Sequence, residues 1–169
     1  MAMPKQRPGR SKQDYSTPDV FVEAVKHRLG IKRLSHDFAA NTLNAKAPTH
    51  YDIKTDALSL SGEEWSWNCV ERLNRWGWLN PPFAKIEPWA YRCAETKDAG
   101  GQIALLVPAS VGSDWFRDYV DGIARVLFLN GRLAFMPNKP KWLYPKDCIL
   151  CLYSDAIEPG YEVWNWRKS

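Results

Sequence analysis

The run "WGWLNPPF" ends in Asn80-Pro81-Pro82-Phe83. Two prolines remove two backbone donors and hold two φ angles near about −65°. The loop is therefore stiff, and its carbonyls point where the chain dictates. Asn80 adds a side-chain carbonyl and Pro81 a main-chain one, with no N–H competing nearby. Either this loop merely ends a strand and buries a Phe, or it presents acceptors. Two acceptors at a rigid angle match one group with two donors, an exocyclic amine. Such an amine is a poor nucleophile, because its lone pair is delocalised into the ring. Acceptors off the ring plane draw the nitrogen towards tetrahedral geometry and stabilise the positive charge that grows as it attacks. Phe83 can stack on the ring that bears the amine. What remains is an electrophile in line at about 3 Å, and a sulfonium methyl would serve.

Positioning that loop requires a strand before it. "NRWGWLNPPF" supplies one, and "PWAYRCAETKDAGG" at 88–101 then reads as a helix, with Pro88 at its start and Gly100-Gly101 at its stop. "STPDVFVEAVKHRLG" at 16–30 reads as an earlier helix. Thr17 suits its N-cap, Pro18 its first position, and Gly30 its end. Phe21, Val22, Val25 and Leu29 repeat at helical spacing. "IKRLSHDFAAN" is a short strand entering a tight turn at Asp37-Phe38-Ala39-Ala40, and "THYDIKTDAL" is a weak second strand. "QIALLVPAS" is a buried strand, and "SDWFRDYVDG" a short helix capped by Ser113. "ARVLFLNGRLAF" at 124–135 predicts a strand, a turn at Asn130-Gly131, and more strand. "CILCLYS" and "YEVWNW" close the series as strands.

Strands alternating with helices favour an α/β fold with a mostly parallel sheet covered on both faces. The turn at Asn130-Gly131 adds antiparallel pairing near the C-terminus. Ligands bind such sheets at the carboxyl ends of the strands. The loops at 37–40 and 80–83 follow two of them, so they should open on one edge.

The chain has 169 residues, enough for one domain with a real core, here residues 15–169. Residues 1–14 carry Lys5, Arg7, Arg10 and Lys12 without periodicity and read as a disordered basic tail. They are either a phosphate-contacting arm or a solvated end. The net charge of +4 permits a polyanionic partner without requiring one. Nine Trp serve equally as core or as base-stacking surfaces. Cys148 and Cys151 form a CxxC, but in a strand residues three apart face opposite ways, so two buried thiols are expected rather than a metal or redox pair. The three His show no metal spacing. No apolar run approaches the roughly 18 residues of a membrane span. The N-terminus has no apolar core, so a cytoplasmic location is expected.

Tyr15-Ser16-Thr17-Pro18, "DFAAN", Asp56-Ala57-Leu58 with Trp65, "LNPPF", "LLVPA" with "WF", and "GRLAF" follow in one order. That series resembles the phage and prophage DNA N6-adenine methyltransferase family (Dam-like), over roughly residues 15–136. The resemblance implies a Rossmann-like class I methyltransferase fold, S-adenosylmethionine as cofactor, and DNA as partner. It also implies base flipping into the Asn-Pro-Pro-Phe loop. Tyr is the commoner last residue of that loop in the family, and Phe83 keeps the stacking face. Tyr15, Thr17, Pro18, Asp37, Phe38, Ala39, Asp56 and Asn80 match cofactor-proximal positions. The glycine-rich turn of many cofactor folds is missing.

Asp37 otherwise reads as a helix cap and Asp56 as a surface acid. Arg132 is suited equally to a phosphate or to a neighbouring acid. Lys139, Lys141 and Lys146, with Trp142 and Tyr144 between them, make a basic-aromatic stretch suited to DNA or to a solvated loop. Phe83, Arg132, Lys139, Lys141 and Trp142 are thus the expected DNA contacts. The same loop chemistry serves RNA adenine or cytosine N4, and a relative that binds nucleic acid without turnover is a third reading. No obligate protein partner is evident.

Overall fold

The computed structural model describes residues 16–135 and 143–168. The expectations for the 1–14 tail, Tyr15, Lys139, Lys141 and Trp142 lie outside the described residues. Among the described residues, seven strands form one sheet: β1 His36–Asp37, β2 Thr49–His50, β3 Gly77–Leu79, β4 Ile103–Pro108, β5 Arg125–Leu129, β6 Cys148–Tyr153 and β7 Gly160–Trp164. Their spatial order is β2-β1-β3-β4-β6-β5-β7. β6 alone runs against its neighbours β4 and β5, and every other pairing is parallel. The expected α/β architecture, mostly parallel with antiparallel pairing towards the C-terminus, is the one formed.

β4 and β6 are buried along their whole length. Strand alternation divides their side chains between two cores. Ala104, Leu106, Leu150 and Leu152 face one side, with α1 (Asp19–Leu29). Ile103, Leu105, Val107, Ile149 and Tyr153 face the other, with α3 (Glu87–Asp98) and α4 (Asp114–Tyr119). Cys148 lies in the first core and Cys151 in the second, so the two thiols diverge as expected. α1 is fixed by Phe21, fully buried, which meets Trp166 edge-on at 5.2 Å and Trp164 at 5.9 Å. Such a side chain is worth about 1.5–3 kcal/mol in burial alone.

Several local expectations need correction. Pro18, not Thr17, occupies the N-cap position of α1, and no side chain caps it. The Thr17 hydroxyl is engaged elsewhere, as described below. Ser113 stands at the N-cap of α4, but its hydroxyl donates to the Ser110 carbonyl at 2.6 Å. The second strand shrinks to two residues, with turns following it. Among the described residues up to Phe135, no strand continues from the Asn130-Gly131 turn. β5 already has β6 on one edge and β7 on the other, so a returning hairpin strand has no edge to join. Leu133 and Phe135 drop into the core without ladder bonds. The antiparallel strand is β6 instead.

One element was not expected. α2 (Gly62–Asn68) begins with a complete capping box: the Ser61 hydroxyl accepts from the Glu64 N–H, and Glu64 accepts from the Ser61 N–H at 2.7 Å. The Ser-Gly-Glu-Glu spelling carries that signal.

Candidate functional site

β1 and β3 lie side by side and parallel, so the loops after Asp37 and Leu79 leave the same edge of the sheet. The Phe38 N–H donates to the Trp78 carbonyl at 3.0 Å, which joins the two exits. Gly77 permits this closeness. A Cβ there would stand 2.6 Å from both the Phe38 ring and the Ile103 side chain.

Asp37 is 2 % exposed. Its carboxylate accepts the Ala39 N–H at 3.2 Å on one oxygen and the Lys46 N–H at 2.9 Å on the other. The helix-cap reading does not describe this arrangement: the carboxylate gathers the loop that follows it. Burial raises its pKa to about 6, against the two N–H bonds and the nearby His50 and Lys46 charges, which lower it. Lys46 also carries its ammonium to Asp19 at 2.7 Å, tying this loop to the start of α1.

Thr17 precedes that helix and is 2 % exposed. Its hydroxyl oxygen accepts the Asn80 side-chain N–H at 3.1 Å. The residues from three separated motifs therefore converge here: Thr17 and Asn80 in direct contact, and Asp37 through Lys46 and Asp19. Asn80 is half-buried and Pro81 buried.

Phe38 extends the site along the edge. It stacks on Trp65 at 4.0 Å and on Tyr51 at 5.5 Å. The Trp65 indole N–H donates to the Ala57 carbonyl at 2.9 Å. That bond ties the Asp56-Ala57-Leu58 turn to Trp65, which stacks on Phe38 of the β1 loop. Asp56 itself holds φ at 35°, in the left-handed region, and its carboxylate accepts the Leu58 N–H at 3.2 Å while remaining exposed. A non-glycine residue there costs on the order of 1 kcal/mol.

On the other flank, Phe83 meets Phe135 at 5.8 Å and Tyr144 at 5.6 Å, both edge-on. Tyr144 is held by its own N–H to the Leu133 carbonyl at 2.7 Å. The "GRLAF" segment thus backs the Asn-Pro-Pro-Phe loop. Arg132 pairs with Asp147 at 3.2 Å, so of its two expected partners the acid is present. Pro108 ends β4 at this edge, and the Ala109 N–H donates to the Asp147 carbonyl.

Sequence reasoning did not find Lys46, because a main-chain N–H carries no residue signature. Nor did it pair Tyr144 with Phe83. The thiols stand apart from all this chemistry. Burial raises the pKa of Cys69 and Cys148 to about 12, and those of Cys93 and Cys151 also rise.

A family model described as DNA N-6-adenine-methyltransferase (Dam) matches residues 5–147. A protein of Escherichia phage T1, named DNA N-6-adenine-methyltransferase, is 25% identical over 123 residues, covering 71% of this chain and 46% of that protein. The chain therefore spans about half the length of the curated relative it matches.

Proposed function

This chain belongs to the DNA N-6-adenine-methyltransferase (Dam) family, and we propose that it methylates the exocyclic N6 amine of adenine in DNA, with S-adenosylmethionine as methyl donor. The observation that carries the proposal is Asn80-Pro81 at the carboxyl end of β3, with the Asn80 amide nitrogen turned to Thr17.

Asn80 Oδ1 and the Pro81 carbonyl would accept the two N–H bonds of the amine. They draw the nitrogen lone pair out of conjugation and stabilise the charge that develops on nitrogen during attack. The two prolines hold these acceptors without reorganisation. Phe83, braced by Phe135 and Tyr144, offers a face for the adenine ring. The adenine must leave its helix to reach this depth, so base flipping belongs to the proposal.

The donor set suits S-adenosylmethionine. Asp56 offers an exposed carboxylate at the turn that Trp65 joins to Phe38, and Asp37 shapes the loop after β1. Thr17, Pro18, Phe38 and Ala39 complete the proposed cofactor wall. S-adenosylmethionine, when bound, supplies the electrophilic methyl group. Arg132, with Lys139, Lys141, Trp142 and Tyr15 from the segments beyond the described residues, would extend the contacts to DNA and cofactor.

The test is methyl transfer from tritiated S-adenosylmethionine to unmethylated genomic DNA, total RNA or protein extract. Label is expected in DNA, recovered as N6-methyladenine on nucleoside digestion. Asn80→Ala is expected to lower transfer at least a hundredfold with cofactor affinity within about twofold, since it removes one preorganised acceptor. Label confined to RNA or protein would overturn the DNA assignment.

A further inference from the structure

The amino-acid end of S-adenosylmethionine is a zwitterion, an α-ammonium beside an α-carboxylate. A wall that reads this end needs a fixed anion and a fixed cation close together. Such a pair stands between the motifs of the proposed cofactor wall. The Lys46 ammonium meets the Asp19 carboxylate at 2.7 Å.

Both members are positioned from outside the pair. The Lys46 main-chain N–H donates to the buried Asp37 carboxylate at 2.9 Å, in the loop that leaves β1. Asp19 opens α1 and follows Thr17 and Pro18 directly. Phe21 and Val25 seat that helix in the core, and the Thr17 hydroxyl accepts from the Asn80 amide. The pair therefore joins the loop after β1 to the helix start beside the Asn-Pro-Pro-Phe loop. Its two halves are exposed very differently. The Lys46 side chain is 11% accessible and that of Asp19 89%. A cation so far out of water is costly with a single acidic partner, and an ammonium has donors for more than one. The Asp19 carboxylate, by contrast, is open to a ligand. The loop does not depend on the pair to close. The Asp37 carboxylate already binds the Ala39 and Lys46 N–H groups, and the Asp37 carbonyl accepts the Tyr51 N–H. An ion pair with one member in solvent adds little to stability.

We propose that Lys46 and Asp19 form the subsite for the amino-acid end of the cofactor: the Lys46 ammonium takes its α-carboxylate and the Asp19 carboxylate its α-ammonium. Two charges then become a set of four with alternating sign, and Lys46 gains a second acceptor. This rests on the cofactor reading above.

The experiment uses three ligands that separate the charges. S-adenosylhomocysteine has the same amino-acid end as the cofactor, S-adenosyl-3-thiopropylamine lacks its carboxylate, and 5′-methylthioadenosine lacks both charges. Affinities are measured by titration calorimetry without DNA, for wild type, Lys46→Met and Asp19→Asn. Lys46→Met keeps the stem and the N–H that binds Asp37, and thermal unfolding checks the fold of each variant. Wild type is expected to bind S-adenosylhomocysteine at least about tenfold more tightly than the thiopropylamine, the size of one hydrogen bond to a charged group. Lys46→Met should lose that factor for S-adenosylhomocysteine and hold 5′-methylthioadenosine within about twofold of wild type. Asp19→Asn should weaken both ligands that carry the ammonium and spare the third. Equal wild-type affinity for S-adenosylhomocysteine and the thiopropylamine would overturn the proposal. So would a Lys46→Met protein that binds S-adenosylhomocysteine as wild type does, or one that loses it and 5′-methylthioadenosine alike. Wild type that binds 5′-methylthioadenosine and gains nothing from the amino-acid end refutes the subsite alone. Wild type that binds none of the three overturns the cofactor reading, and the subsite with it.

Discussion

The Asp37 carboxylate accepts the Lys46 N–H at 2.9 Å, across nine residues of chain, and so closes the loop at the head of β1. The bond is made inside the protein, where a carboxylate is costly to ionise. Burial, the largest influence, lifts its pKa to about 6 from an ordinary 3.8. The native state therefore holds a proton that the unfolded chain releases between about pH 4 and pH 6. Stability from this group is fully present below the lower value and is lost as pH rises through the upper one. The interval corresponds to roughly 3 kcal/mol. Asp37→Asn cannot titrate, and its amide end opposes one of the two N–H donors, so it is expected to be less stable at acid pH. The gap to wild type should narrow as pH rises from 4 to 7. Urea unfolding of both proteins across that range measures it, and a constant gap would rule out the titration.

Gly77 sets the distance between β3 and the Phe38 ring. In Gly77→Ala the new methyl would stand 2.6 Å from Phe38 and from Ile103, both fully packed. Phe38 would be pushed off Trp65, on which it stacks at 4.0 Å. The expected loss is about 1–3 kcal/mol, the usual cost of overpacking. Gly112→Ala is the control, because its Cβ would meet nothing within 4 Å. Denaturant midpoints of the two variants should separate clearly. Equal midpoints would mean that the edge yields.

How much of this was legible in the sequence depends on what carries each feature. β4 and α3 were readable because long apolar runs and terminal Pro and Gly are side-chain signals. The exit of Asn80 from a strand was readable for the same reason. β1 and β2 are two residues each, too short for any periodicity, and exist through their neighbours. The Lys46 N–H, the joined exits at Phe38 and Trp78, and the position of β6 between β4 and β5 are backbone relationships. No residue type spells them. The hairpin reading at Asn130-Gly131 failed differently: the turn chemistry is present, but β7 had taken the edge. The cap reading of Thr17 failed because its hydroxyl serves Asn80.

Phe83 is the hinge between the acceptor loop and its aromatic backing. Phe83→Ala removes two edge-on contacts, to Phe135 and Tyr144. Each such pair is worth about 0.5–1.5 kcal/mol. Base stacking adds about 1–3 kcal/mol, so transfer to DNA is expected to fall ten- to a hundredfold beyond the stability loss. Phe83→Tyr keeps the ring and should stay within a few-fold of wild type. Thermal unfolding and transfer rates, measured together, separate the two effects. Full activity in the alanine variant would remove Phe83 from the base site.

Arg132 and Asp147 form an exposed pair, with side chains 49% and 73% accessible. Such a pair contributes only about 0–1 kcal/mol, so neither Arg132→Gln nor Asp147→Asn should shift the unfolding midpoint much. Their effects on DNA should be opposite. If the guanidinium turns to a phosphate on binding, Arg132→Gln lowers the slope of log affinity against log salt by about one. Asp147→Asn releases the same guanidinium from its acid and should tighten binding at low salt. Fluorescence anisotropy with a duplex over a salt series reads both. An unchanged slope in Arg132→Gln would assign Arg132 to the acid alone and leave phosphate contact to other cations.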